Sequence, residues 1–216
     1  MPEPKPSDKP AKAALKQILQ DHPAIWQGTE LSTTKHGIST GYSELDAILP
    51  GAGWPTNAVL ELLLAEQGIG ELTLFLPLMR HLTQQGRCVV WVHPPFIPYA
   101  PALARAGVDI RYNILVHRSS SKKEALWAME KGLQAQASGL VLAWLDGFPG
   151  NALRRLQLAA ETGNTLGVLF CHQAFKSALL PFRFRLEPRQ GGARLHAVKM
   201  RGSFTHPLIN LDLPWF

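Results

Sequence analysis

Residues 51–82 read GAGWPTNAVLELLLAEQGIGELTLFLPLMRHL, and the rest of the chain is arranged around this stretch. The apolar run over 58–64 predicts a buried strand, and the glycines that follow it predict a turn. The apolar residues after Gly70 recur at helical spacing and predict a helix. A strand, a glycine-rich turn and a helix in this order form the setting of a phosphate-binding loop.

This loop lacks the side chains that phosphate binding requires. A working loop uses glycines for close backbone approach, a Lys for charge and a Ser or Thr for Mg²⁺. Gly70 fits the second glycine, but Ala65 stands at the first glycine position, Glu71 at the Lys position and Leu72 at the Ser/Thr position. An acid repels a polyanion, and a Leu cannot bind Mg²⁺. The sequence therefore predicts a nucleotide-binding scaffold that has lost its nucleotide chemistry and holds no cofactor.

Composition indicates a globular protein. The 216 residues are 46% hydrophobic and 18% charged, with a formal net charge of +6. That charge permits contact with nucleic acid or an acidic partner without establishing either. Cys88 and Cys171 both lie in apolar runs, which is typical of reduced core thiols. Without a signal segment or an apolar run of membrane-spanning length, the sequence predicts a cytoplasmic protein with no membrane contact.

Three regions are expected along the chain. Residues 1–14 are rich in Pro, Lys and Ala and predict a disordered tail. Residues 15–40 predict a short helix and a polar linker, and residues 41–216 predict one core domain. Ile25 and Trp26, in the second region, either pack back on the core or serve as a hook for a neighbouring subunit.

The order of the expected elements predicts the fold class. Helices and strands alternate as far as Cys171, which is typical of parallel strands joined by helical crossovers. Alternating strands over 182–187 and 193–199 then flank Gly191-Gly192, a hairpin signal. We therefore predict a mixed α/β fold with a largely parallel sheet flanked by helices and with C-terminal antiparallel hairpin strands.

Local signals predict how individual elements begin and bend. Ser43 is expected to cap a short helix, with Asp46 in its first turn. Pro77 is expected to kink the helix that follows the phosphate loop. Ser121 with Glu124 three residues later predicts a capping box. Asp146 follows an apolar strand, at the sheet edge where α/β proteins bind ligands.

Several of these segments resemble the core of RecA. They lie at 41–61, 107–116 and 198–201. Within the RecA-like group the chain is identified as a member of the ImuA family of translesion-synthesis accessory proteins. The segments that carry this resemblance are 22–26, 40–46, 49–55, 68–72, 94–101 and 153–160. The division inhibitor family SulA is a shorter relative that resembles mainly the middle of the chain, such as 76–79 and 91–94.

The departures from RecA imply that the chain is not an enzyme. The Glu with which RecA activates the attacking water falls at about Pro95, which has neither acid nor base. Asp146 keeps the position of a Mg²⁺-binding acid, but one acid does not make phosphoryl-transfer machinery. The His and Cys residues show no metal-ligand spacing either.

The resemblance implies a non-catalytic adaptor in SOS-induced translesion DNA synthesis. Its implied partners are an ImuB-like protein and an error-prone C-family polymerase, with RecA as a further partner. The alternative is a SulA-like cell-division inhibitor that binds FtsZ. A third hypothesis is direct DNA contact by a basic stripe on the C-terminal strands, where a solvated strand face is the other interpretation. The stripe comprises Arg183, Arg185, Arg194, Lys199 and Arg201.

Overall fold

A computed structural model of the chain describes residues 37–117, 121–145, 147, 150–175, 179–201 and 205–213. The chain divides into two compact units, Met1–Thr34 and Lys35–Phe216, and all the described residues belong to the second. Within these ranges, no helix combines the length and the apolar character needed to cross a membrane.

The second unit alternates helices and strands before a run of strands at its end. The helices are α1 (Ser43–Ile48), α2 (Leu76–Gln84), α3 (Ala100–Arg105), α4 (Lys122–Gln134) and α5 (Gly150–Gly163), with 3₁₀ turns at Thr73–Phe75 and Ile110–Tyr112. The strands are β1 (Val59–Leu64), β2 (Cys88–Val92), β3 (Asn113–Val116), β4 (Ser138–Trp144), β5 (Leu166–Cys171), β6 (Phe182–Arg189), β7 (Gly192–Met200) and β8 (Leu208–Leu211).

All eight strands join one sheet in the order β3-β2-β4-β5-β1-β6-β7-β8. The pairs from β3 to β6 are parallel, while β6–β7 and β7–β8 are antiparallel. This confirms the mixed α/β sheet with antiparallel C-terminal strands. The carboxyl ends of β1, β2, β4 and β5 consequently meet at one edge of the sheet.

Helices cover the sheet on both faces because neighbouring strand residues point to opposite sides. Leu60 and Leu62 of β1 face the core that contains α1, α2 and α3. Val59 of the same strand faces the core that contains α4 and α5. Burial of each large apolar side chain contributes about 1.5 to 3 kcal/mol, so the two cores hold the sheet between two helical layers.

Two local predictions are wrong and one is confirmed. Pro77 does not kink a helix, because α2 begins at Leu76 and places Pro77 in its first turn, where the missing N–H has no helical partner. Ser43 does not cap α1, whose N-cap is Tyr42. The carboxylate of Asp46 instead accepts hydrogen bonds from Ser39 Oγ at 2.7 Å and from the Thr40 N–H at 2.8 Å. The capping box at Ser121 is present.

Candidate functional site

The phosphate-loop segment, residues 65–72, leaves the carboxyl end of β1 and is bridged by its own acid, Glu71. Glu71 is only 5% exposed. Its carboxylate oxygens accept the Gly68 N–H at 2.9 and 3.1 Å. Backbone N–H groups of such a turn are the groups that hold a phosphate in a nucleotide-binding protein. Here the chain supplies the anion itself, so Glu71 stabilises the turn instead of opening it to a ligand.

The rest of the phosphate-loop segment is partly packed and partly exposed. Gly70 has φ of +97°, and a Cβ atom there would lie 3.0 Å from Leu213 Cδ1. Leu72 is half-buried, and Ala65 is exposed. The segment continues into the 3₁₀ turn at Thr73–Phe75 before α2 begins.

A small cavity lies where the carboxyl ends of the central strands meet. Its walls include His93, Pro95, Trp144 and His172, and its volume is about 60 Å³. That volume holds a few water molecules, whereas pockets for nucleotide-sized ligands span roughly 300 to 1,000 Å³. Pro95 thus lies at the strand-end edge where the resemblance placed the lost catalytic acid. Among the described residues, no cluster of three or more His, Cys, Asp or Glu is arranged to hold a metal.

Three predicted site residues lie outside the described residues. They are Asp146, Ile25 and Trp26.

One basic residue of the C-terminal strands, Arg183, pairs with a buried acid that the sequence analysis did not single out. Glu61 of β1 is fully buried. Its Oε2 accepts from Arg183 Nε at 2.5 Å, and its Oε1 accepts from the Phe175 N–H at 2.6 Å. Arg183 also donates to the Phe175 carbonyl at 2.9 Å. The signal was present, since Glu61 is the single acid within the apolar run 58–64.

Lys199 takes part in the same region of the sheet. Its Nζ donates to the Leu180 carbonyl at 2.7 Å. Burial lowers the pKa of Lys199, and the nearby Arg183 lowers it further, while Glu61 opposes both. Arg183 and Lys199 therefore both donate hydrogen bonds to backbone carbonyls of the segment between β5 and β6. Arg185, Arg194 and Arg201 are exposed.

An exposed apolar loop between β2 and α3 is a further surface feature that the sequence analysis missed. Phe96 is 77% exposed, Ile97 71% and Tyr99 68%. Prolines at 94, 95, 98 and 101 flank these side chains. The loop has no helical or strand periodicity in its sequence. The sequence feature that could have predicted it is the density of prolines around large apolar residues. Exposed apolar side chains grouped in this way are typical of contact surfaces.

Comparison with known proteins identifies the family. A family model described as cell division inhibitor SulA matches residues 58–167. The chain belongs to the SulA family.

Individual SulA proteins resemble the chain over a similar region. Cell division inhibitor SulA from Edwardsiella piscicida is 31% identical over 120 residues, which cover 56% of this chain and 71% of that protein. The protein of the same description from Photorhabdus laumondii is 30% identical over 125 residues, covering 58% and 68%. The crystal structure of SulA from Pseudomonas aeruginosa matches with 25% identity and a TM-score of 0.42, covering 51% of this chain and 95% of that chain.

The assignment to ImuA is wrong. The SulA family model spans residues 58–167, which include the segments 68–72, 94–101 and 153–160 on which the ImuA interpretation relied. The predicted translesion-synthesis role is therefore also wrong. So are the predicted partners, which were an ImuB-like protein, the error-prone polymerase and RecA. The interpretation gave too much weight to residues 22–26, which lie outside the matched region. The alternative, a SulA-like division inhibitor, agrees with the family.

Proposed function

We propose that this SulA-family chain is a non-catalytic inhibitor of cell division, produced in the SOS response, that acts by binding FtsZ. The observation that carries the proposal is the family match over residues 58–167. Inhibition by binding needs a stable surface and no reaction chemistry.

The geometry of the phosphate-loop segment supports inhibition without nucleotide chemistry. The Glu71 carboxylate accepts a hydrogen bond from the Gly68 N–H, and the cavity at the strand ends measures about 60 Å³. A phosphoryl-transfer site would need donors and cations arranged around a bound nucleotide. We therefore propose that the sheet is a RecA-like scaffold that presents surfaces to a partner, with residues 41–216 as its core and 15–40 as a short helix and linker.

The apolar loop at Phe96 and Ile97 is the contact that we propose for FtsZ. Large apolar side chains that fill a partner's pockets supply most of the energy in many interfaces. The flanking prolines restrict the loop, so less conformational entropy is lost on binding. DNA contact through Arg185 and Arg201 stays a prediction of the sequence, and no observation favours it over this loop.

The test combines capture of purified FtsZ with cell length on expression of the chain. We expect the wild-type chain to capture FtsZ and to cause filamentation. The double change Phe96→Ala and Ile97→Ala should weaken capture by about tenfold or more, as loss of hot-spot residues does. Leu158→Ala is the matched control, because Leu158 is also exposed (54%) but lies on α5. If the wild-type chain neither captures FtsZ nor filaments cells, the proposal is wrong.

A further inference from the structure

A row of cavities, called the groove below, lies along the start of α2. Three adjoining cavities form it, and neighbouring cavities share wall residues: Thr73 and Leu76 link the first two, and Pro77 and Arg80 link the second and third. The Tyr42 hydroxyl donates to the Thr73 carbonyl at 3.1 Å and ties α1 to the wall of the groove. The groove is therefore elongated and built on packed elements.

The two ends of the groove differ in chemistry. The first cavity, about 270 Å³, has Leu72, Leu76, Tyr99 and Leu103 among its walls and is mainly apolar. Glu71 also lies in its wall, but this side chain is 5% exposed and its carboxylate accepts the Gly68 N–H. The second cavity, about 280 Å³, has Arg80 and Arg105 in its walls. The third adds His81. Neither the second nor the third cavity has an Asp or Glu among its described wall residues.

Both arginines are available to a ligand. Arg80 and Arg105 are exposed, and neither forms an ion pair within the described part of the chain. The stem of Arg80 packs over Gly107, where a Cβ atom would lie 2.8 Å from Arg80 Cδ. A side chain at position 107 would thus collide with Arg80. Gly107 also has φ of +84°, a backbone conformation that glycine adopts without strain. Because this stem is packed and Arg80 lines the second and third cavities, less side-chain entropy is lost when Arg80 binds a ligand there.

We infer that this groove binds an extended acidic segment of a protein partner, with carboxylates at Arg80 and Arg105 and an apolar side chain at the Tyr99 end. Charge complementarity favours an acidic ligand, because the guanidinium groups of Arg80 and Arg105 can bind carboxylates in bidentate geometry. The length and the apolar end favour a peptide over a small anion. The chain's own residues 1–14 do not suit the site, since they carry Lys5, Lys9 and Lys12 against Glu3 and Asp8. The inference goes beyond the proposed function, because it assigns a second contact of different chemistry from the loop at Phe96 and Ile97.

The test measures binding of fluorescent peptides to the full chain by anisotropy. One probe peptide carries a pair of leucines followed by a run of glutamates, and a second replaces every glutamate with glutamine. We expect the glutamate peptide to bind at least about tenfold more tightly at low salt, with the difference falling as salt is added. The double change Arg80→Glu and Arg105→Glu should abolish this preference. Arg154→Glu, an exposed charge reversal on α5, should leave it intact.

Other outcomes would overturn the inference. It fails if both peptides bind equally, or if the double variant, shown by circular dichroism to be folded, keeps the preference. It also fails if inorganic phosphate displaces the peptide and a glutamate peptide without leucines binds as well, because the site would then hold only small anions. Tighter binding of single-stranded DNA at the same residues would overturn it too. None of these readouts uses FtsZ, so failure here is separate from failure of the proposed function.

Discussion

At the scale of single residues, Glu61 decides how the C-terminal strands join the parallel sheet. A fully buried carboxylate costs free energy unless donors satisfy it. Arg183 Nε and the Phe175 N–H supply those donors. Because Glu61 lies on β1 and Arg183 on β6, the ion pair crosses from the central sheet to the C-terminal strands.

Glu61→Gln should lower the free energy of unfolding by about 3 kcal/mol, because it leaves the Arg183 cation, whose side chain is 18% exposed, without its counter-ion. Urea unfolding followed by circular dichroism measures the change. Glu130→Gln is the control, since it removes a pair with Arg155, whose side chain is 58% exposed. That change should cost less than about 1 kcal/mol. Equal losses in the two variants would contradict a special role for Glu61.

At the scale of the elements, the two serines predicted as caps behave differently. Ser121 accepts the Glu124 N–H, and the Glu124 carboxylate accepts the Ser121 N–H at 2.7 Å. Ser43 makes no such bond to the backbone of α1. The 13-residue α4 therefore begins with a local capping box. The 6-residue α1 is instead stabilised by the fully buried Leu45 and by the hydrogen bonds of Asp46.

Ser121→Ala should therefore lower the free energy of unfolding by about 1 kcal/mol, the usual cost of a lost N-cap. Ser43→Ala should change it by less than half as much. Thermal and urea unfolding of the two variants side by side give the comparison. A larger loss for Ser43→Ala would mean that α1 depends on its first residue and not on its buried face.

At the scale of the whole molecule, the phosphate-loop segment contacts its own acid and the C-terminal part of the chain. The Glu71 carboxylate accepts the Gly68 N–H, Leu213 leaves little room beside Gly70, and the strand-end cavity measures about 60 Å³. We expect all three to act as closures against a nucleotide at the phosphate-loop segment. Restoring the loop residues alone leaves the other two closures in place.

The double change Glu71→Lys and Leu72→Thr should accordingly fail to create an ATP site, although it restores the loop's cation and hydroxyl. Titration calorimetry with ATP and Mg²⁺ measures this, with the wild-type chain as the reference. Binding with a Kd tighter than about 1 mM would show that the two side chains alone excluded the nucleotide.

The sequence by itself determined the parallel strands, the C-terminal hairpin and the capping box at Ser121, while the loss of phosphate-loop chemistry stays a prediction. These features depend on periodicity, turn residues and side-chain identity, which are local properties. Sequence resemblance favoured the wrong family, since short terminal segments outweighed the match over 58–167. Only the tertiary structure decided that Arg183 serves the buried Glu61, that Glu71 fills its own loop, and that Arg80 and Arg105 share a groove. The physical reason is that most of these contacts join residues that are distant in sequence, and the Glu71 contact depends on the backbone geometry of its turn. Whether a side chain is buried or paired depends on which elements the fold brings together.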